Sequence, residues 1–139
     1  MWFPDVNVLI YAFFPQLDFH QESIQWLEEK LSGTQSVLFC DITELGFLRV
    51  SSQISNSNHS FEEIWKFLDY IRKTPAYRHI TSGQKHRDEF YKLAHSTPAK
   101  GKQFTDLWLA ALAIENKATI VSYDRDFKKI PNLKTIQPS

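Results

Sequence analysis

This sequence predicts an α/β fold with a mainly parallel sheet of four to five strands covered by helices on both faces, and three observations carry that prediction. Short apolar or β-branched runs alternate with longer helical patterns, the signature of strands joined by helical crossovers. Leu107 to Ile114 is an unbroken run of eight apolar residues, so the helix it forms is apolar all round and belongs in a core. Behind it, Thr119-Ile120-Val121 ends abruptly at Tyr123-Asp124-Arg125-Asp126, which gives buried helix, turn, buried strand and acidic loop in succession.

The remaining elements follow in order. Trp2 to Pro4 reads as a very short strand, because Pro4 cannot donate to a ladder, and a helix starts near Asn7 and stops before Pro15. Phe19 to Leu31 sets Ile24, Trp26 and Leu27 among Glu22, Glu28, Glu29 and Lys30, an amphipathic helix closed by Ser32-Gly33. Ser36 to Asp41 is a second buried strand. Asp41-Ile42-Thr43-Glu44 then opens a helix carrying Leu45, Phe47, Leu48 and Val50, with Asp41 or Thr43 as its cap. Ser51 to His59 is the most loop-like stretch of the chain. Ser60-Phe61-Glu62-Glu63 matches a capping box, and the helix behind it, ended by Pro75, has an apolar face of Phe61, Ile64, Trp65, Phe67, Leu68 and Ile71.

Tyr77 to Ile80 reads as a third strand, and Gly83 to Ser96 as a helix with Phe90, Tyr91, Leu93 and Ala94 inward. The basic loop 97–103 leads to the long apolar helix, with Thr105 as its N-cap and Asp106 in its first turn. After Asp126, a helical turn from Phe127 to Ile130 is stopped by Pro131, and Leu133 to Ile136 adds an edge strand. The tryptophans Trp26, Trp65 and Trp108 fall on helical apolar faces and read as core.

Composition bounds the function. At 139 residues, 42% hydrophobic and 23% charged, the chain reads as one globular domain over 1–139. Its 16 basic and 16 acidic residues cancel, so a nucleic-acid partner would be held by local patches or by metal rather than by a field over the whole surface. The single cysteine, Cys40, reads as a small buried hydrophobe and excludes an intramolecular disulfide. No apolar run approaches the roughly 20 residues that cross a bilayer, and no basic leader precedes the first apolar residues, so a soluble cytoplasmic protein is expected. The five histidines lack the spacing of a zinc helix, and four glycines leave no phosphate-cradling loop.

Four carboxylates fall at matching places in this topology: Asp5 after the first strand, Glu44 in the helix after the second, Asp106 at a helix start and Asp124 after the fourth. Right-handed crossovers bring such positions to one edge of a parallel sheet. Pairs converging to about 5 Å would repel by about 3 kcal/mol at an effective dielectric near 20, so the cluster calls for protons or cations. Hard divalent ions, Mg²⁺ or Mn²⁺, suit all-oxygen ligands, with Asp5, Asp106 and Asp124 as metal-holding residues. Each acid also has a local reading. Asp106 suits a first turn, Glu44 could pair with Asp41 in a capping box, and Asp124 and Asp126 are common turn residues, Asp126 as cap of the following turn. Asp5 stands between apolar runs, where an unpaired carboxylate is costly, and Asn7 is either its orienting partner or a local cap.

Together, Pro4-Asp5-Val6-Asn7-Val8-Leu9-Ile10-Tyr11-Ala12, Thr43-Glu44-Leu45-Gly46-Phe47-Leu48-Arg49, Thr105-Asp106-Leu107-Trp108-Leu109-Ala110-Ala111 and Thr119-Ile120-Val121-Ser122-Tyr123-Asp124-Arg125-Asp126-Phe127 resemble the PIN domain, in particular the VapC toxins of type II toxin–antitoxin systems. The resemblance implies a three-layer α/β/α fold and a Mg²⁺- or Mn²⁺-dependent endoribonuclease. It also implies a homodimer neutralised by a cognate antitoxin. An antitoxin Arg or Lys is then expected against Asp5, Glu44, Asp106 or Asp124, and an apolar antitoxin segment in a hydrophobic groove, with the faces carrying Phe13, Phe14, Phe47 and Trp65 as candidates. Carried over by position, it implies Asp5, Glu44, Asp106 and Asp124 as the catalytic quartet. Beside them Asn7, Thr105 and Asp126 read as supporting residues, and Ser51 to His59, Lys100, Lys102 and Arg125 as the rim that would face RNA. Val6 departs from the commonest pattern, since it stands where many members have a Thr or Ser hydroxyl near the first acid. A PIN-fold module that binds RNA or protein without cleaving is the alternative, and a phosphoryl-transfer domain of the haloacid dehalogenase or receiver type a third.

Overall fold

The computed structural model describes residues 1–54 and 60–139. Five short strands, β1 (Trp2–Pro4), β2 (Val37–Phe39), β3 (Tyr77–His79), β4 (Thr119–Val121) and β5 (Lys134–Ile136), form one sheet in the order β3-β2-β1-β4-β5. Every pairing is parallel. Six helices surround it: α1 (Val6–Phe13), α2 (His20–Leu31), α3 (Asp41–Gln53), α4 (Phe61–Arg72), α5 (Gln84–Ser96) and α6 (Gln103–Glu115), with a 3₁₀ turn at Arg125–Lys129. The α/β class, the parallel sheet and the element order are those expected from the sequence.

Strand alternation divides the core in two. Val37, Phe39 and Val121 face α1 to α4, where they pack with Leu9, Phe14, Trp26, Leu27, Phe47 and Leu68. Phe3, Leu38 and Ile120 face α5 and α6, against Leu107, Leu109 to Ala113, and Phe127. Both faces of the three inner strands are thus buried, as a parallel sheet requires. The edge strands β3 and β5 are more exposed and only three residues long, which leaves little edge to pair with another chain. Pro4 ends the central strand β1, and the ladder passes it by: Asp5 N–H donates to Val121 O at 2.9 Å.

Several local expectations are corrected. Helix α6 begins at Gln103, so Thr105 lies inside it and caps nothing. Gly101, at φ +59°, turns the chain there and lets Lys102 precede the helix. Helix α3 is capped at Cys40, whose backbone N–H donates to Thr43 Oγ1 at 3.1 Å, so neither Asp41 nor a Glu44 capping box starts it. The 3₁₀ turn is capped by Asp124, not Asp126, with Asp124 Oδ1 accepting from Asp126 N–H at 2.9 Å. Residues 51–53, expected as loop, continue α3, and 55–59 lie outside the described residues. Ser60 caps α4 as expected, accepting from Glu63 N–H.

Three aromatics expected inside are exposed: Phe61 and Trp65, stacked on each other along α4, and Tyr91, which packs on His95. In an amphipathic helix the apolar stripe needs only part of the circumference, and Ile64, Leu68 and Ile71 fill it in α4. Phe14 and Phe47, placed above beside a surface groove, are fully buried. Cys40 is buried, as expected.

Candidate active site

Asp5 leaves β1 as the N-cap of α1, and its two carboxylate oxygens are held separately. Oδ1 accepts from Val6 N–H at 2.8 Å, and Oδ2 accepts from the Ser122 hydroxyl at 2.8 Å. Ser122 is the hub of this corner. Only 2% exposed, its oxygen also accepts from Asn7 Nδ2 at 3.1 Å and from Asp124 N–H at 3.0 Å. The amide oxygen of Asn7 accepts from Tyr123 N–H, so Asn7 orients Asp5 through Ser122 rather than directly. The hydroxyl missing at Val6 is therefore supplied from the end of β4.

Three aspartates from three elements line one open cleft of about 510 Å³: Asp5 at the start of α1, Asp106 in the first turn of α6, and Asp124 after β4. Val6, Asn7, Ile10, Tyr11, Leu17, Arg49, Val50, Lys102 and Thr105 complete its wall. Burial raises the Asp5 pKa, against the hydrogen bonds from Ser122 and Val6 that favour its charged form. Asp106 is pushed up to about 6, first by burial and then by the negative charges of Asp124 and Asp5, with Lys102 offsetting part of this. Its carboxylate accepts no hydrogen bond among the described residues, and Asp106 lines the cleft.

Glu44 is placed elsewhere. It is 8% exposed and absent from the cleft wall, and its carboxylate is taken up by two partners. Arg72 Nη2 donates to Oε2 at 2.7 Å, and the Tyr77 hydroxyl donates to Oε1 at 2.6 Å. This bracket joins α3 to α4 and β3. Burial, then the bond to Glu44, pushes the Tyr77 phenol up to about 12.

Of the remaining expected residues, Thr105 and Lys102 line the cleft. Asp126 pairs with Lys129 at 3.3 Å and borders a smaller pocket that it shares with Asp106. Lys100 and Arg125 are exposed and do not line the cleft. Sequence reasoning missed Ser122, Arg49, Arg72 and Tyr77. A signal existed for Ser122, a hydroxyl two residues before an acid at a strand end.

The donor set is all oxygen and mutually repelling, which suits a hard divalent cation. Among the described residues, no group of three or more His, Cys, Asp or Glu is placed so that it could hold a metal ion. The aspartates share a cleft and an electrostatic field rather than a closed coordination sphere.

A family model for the PIN domain matches residues 2–133. The chain is 32% identical over 136 residues to VapC ribonuclease Mb2897 of Mycobacterium bovis, with 96% of this chain and 92% of that protein covered. It is 29% identical over 137 residues to ribonuclease VapC37 of Mycobacterium tuberculosis, covering 96% and 94%. The VapBC2 complex of Rickettsia felis bound to promoter DNA superposes with a TM-score of 0.69 at 22% identity, covering 99% of this chain and 98% of that one. VapC20 of Mycobacterium tuberculosis, a sarcin-ricin loop cleaving toxin, superposes with a TM-score of 0.68 at 12% identity, covering 93% and 94%. At these identities the solved structures speak for the fold.

Proposed function

The chain belongs to the PIN domain family, and we propose that it is a VapC-like endoribonuclease toxin, dependent on Mg²⁺ or Mn²⁺, that hydrolyses RNA phosphodiester bonds. The observation that carries this reading is the meeting of Asp5, Asp106 and Asp124 in one cleft at the carboxyl edge of the sheet. The ribonuclease names of its relatives support the reaction. The toxin–antitoxin complexes that share its fold support a cognate antitoxin as partner. A homodimer in the cytoplasm completes the proposal.

Asp5, Asp106 and Asp124 would hold the cation, which when bound supplies charge neutralisation and Lewis acidity toward a phosphodiester. The chain's own residues then divide the remaining work. Val6 N–H and Ser122 each occupy one lone pair of Asp5 and leave the others for a cation. Asp106, which accepts no hydrogen bond among the described residues, keeps its carboxylate open to the cation, while the attacking water gives its proton to solvent and the leaving oxygen takes one up. The water oxygen bonds to phosphorus as the bond to the leaving oxygen breaks, giving one phosphate end and one hydroxyl end. Glu44 serves the reaction by stationing α3, a departure from the four-acid expectation.

The test is RNA-end mapping with purified protein. Wild type should cut RNA with Mn²⁺ or Mg²⁺ and stop with EDTA, and folded Asp106→Asn should not cut. A wild-type chain that binds RNA with metal present and never cleaves it would instead be the non-catalytic binding module.

A further inference from the structure

The cleft wall combines two kinds of side chain. Asp5, Asp106, Asp124, Asn7 and Thr105 are polar, Ile10, Tyr11, Leu17 and Val50 add apolar surface, and Arg49 stands next to Val50 on α3. A nucleic-acid strand brings more negative charge to a wall already holding three carboxylates, so its affinity depends on the cations beside them. Among the residues that line the cleft these are Lys102, directly before α6, and Arg49 on α3.

The two differ in where their charge goes. Lys102 directly precedes α6 and offsets the charge of Asp5 and Asp106. Arg49 is exposed and forms no ion pair among the described residues, and it is not among the main influences on either aspartate. Its place at the cleft follows from Gly46, one turn earlier on α3. A Cβ there would stand 2.7 Å from Val6 Cγ2, so only glycine lets α3 approach the start of α1 this closely. That approach puts a guanidinium, with its planar fork of donors, on the rim beside an apolar wall.

We propose that Arg49 holds the substrate strand by gripping a backbone phosphate where α3 borders the cleft, with Lys102 as a second cation of the same wall. The assignment rests on the nuclease reading above. Arg49 is a binding residue: it contributes to holding RNA and not to breaking the bond.

The experiment measures binding of a fluorescent single-stranded RNA of randomised sequence, with Ca²⁺ in place of Mg²⁺, as a function of salt. Cleavage of total RNA with Mn²⁺ is followed in parallel. Arg49→Ala should weaken binding about tenfold or more at low salt and reduce the salt slope of log K by about 0.7, the share of one phosphate contact on a single strand. KM should rise with kcat nearly unchanged, and Arg49→Lys should restore the salt slope but only part of the affinity. A merely structural role would lower the melting temperature without moving the slope. If wild type cleaves RNA and Arg49→Ala matches it in KM and slope, the Arg49 assignment is overturned while the nuclease reading stands. If wild type neither binds nor cleaves RNA, both fall together.

Discussion

Asp106 and Glu44 each occupy the fourth position of a helix, α6 and α3, where the helix dipole favours a negative charge equally. Their surroundings are opposite. Asp106 faces a cleft with two other aspartates and accepts no hydrogen bond among the described residues, while Glu44 is enclosed and gripped by Arg72 and Tyr77. One acid is left with unmet charge that a ligand can satisfy, and the other has its charge met by the protein. Helix position alone does not determine whether a carboxylate stays open to a ligand or is met by the protein; the partners do.

The comparison is sharpened most by Ser122→Ala. Outer-shell partners of metal ligands are typically worth about 10–100-fold in activity or metal affinity, and Ser122 supports both Asp5 and the Asp124 backbone. RNA-cleavage kinetics should show a loss in that range. Urea melts should show a further stability loss of about 1–3 kcal/mol from orphaned polar groups.

On the other side of the comparison, Arg72→Ala should act on stability and leave cleavage by the folded fraction largely intact. The enclosed Glu44 would keep only Tyr77, at a cost of about 1–3 kcal/mol. That is less than for a fully buried pair, because the Arg72 side chain is 40% exposed and already screened by water. Denaturant unfolding with a parallel cleavage assay checks this, and a collapse of activity without a change in stability would place Glu44 in the chemistry.

The smallest effect is on pH. Asp106 has a folded pKa of about 6 against an ordinary value of 3.8, so the folded state binds more protons than the unfolded one between these values. Its contribution to stability is therefore fully present below pH 3.8 and lost as pH rises through about 6. Thermal melts in EDTA should show this decline, and Asp106→Asn should flatten it.

Much of the fold was legible in the sequence because hydrophobic periodicity is local: the apolar run at Leu107 to Ile114 and the strand at Thr119 to Val121 declare themselves within a few residues. Asp5, Asp106 and Asp124 were legible because each follows a strand or opens a helix on the same edge. The fate of Glu44 was not, since its partners lie 28 and 33 residues away on other elements and nothing local distinguishes it from Asp106. Ser122 was half legible, its position apparent but its hydrogen bond to a carboxylate 117 residues away not. The start of α6 was misjudged because Thr105 is a good cap by type, while the positive φ of Gly101 determines where the turn actually falls.

The most direct measurement is a melting curve with and without Mn²⁺ for wild type, Asp106→Asn and Glu44→Gln. A cation at about 100 times its dissociation constant stabilises a folded state by about 2.7 kcal/mol if it binds only that state. Mn²⁺ should raise the melting temperature of wild type and of Glu44→Gln by similar amounts, although Glu44→Gln starts lower, and Asp106→Asn should gain little or nothing. A Glu44→Gln variant that loses the metal response, or an Asp106→Asn variant that keeps it in full, would contradict the division between the aspartate cleft and the Glu44 bracket.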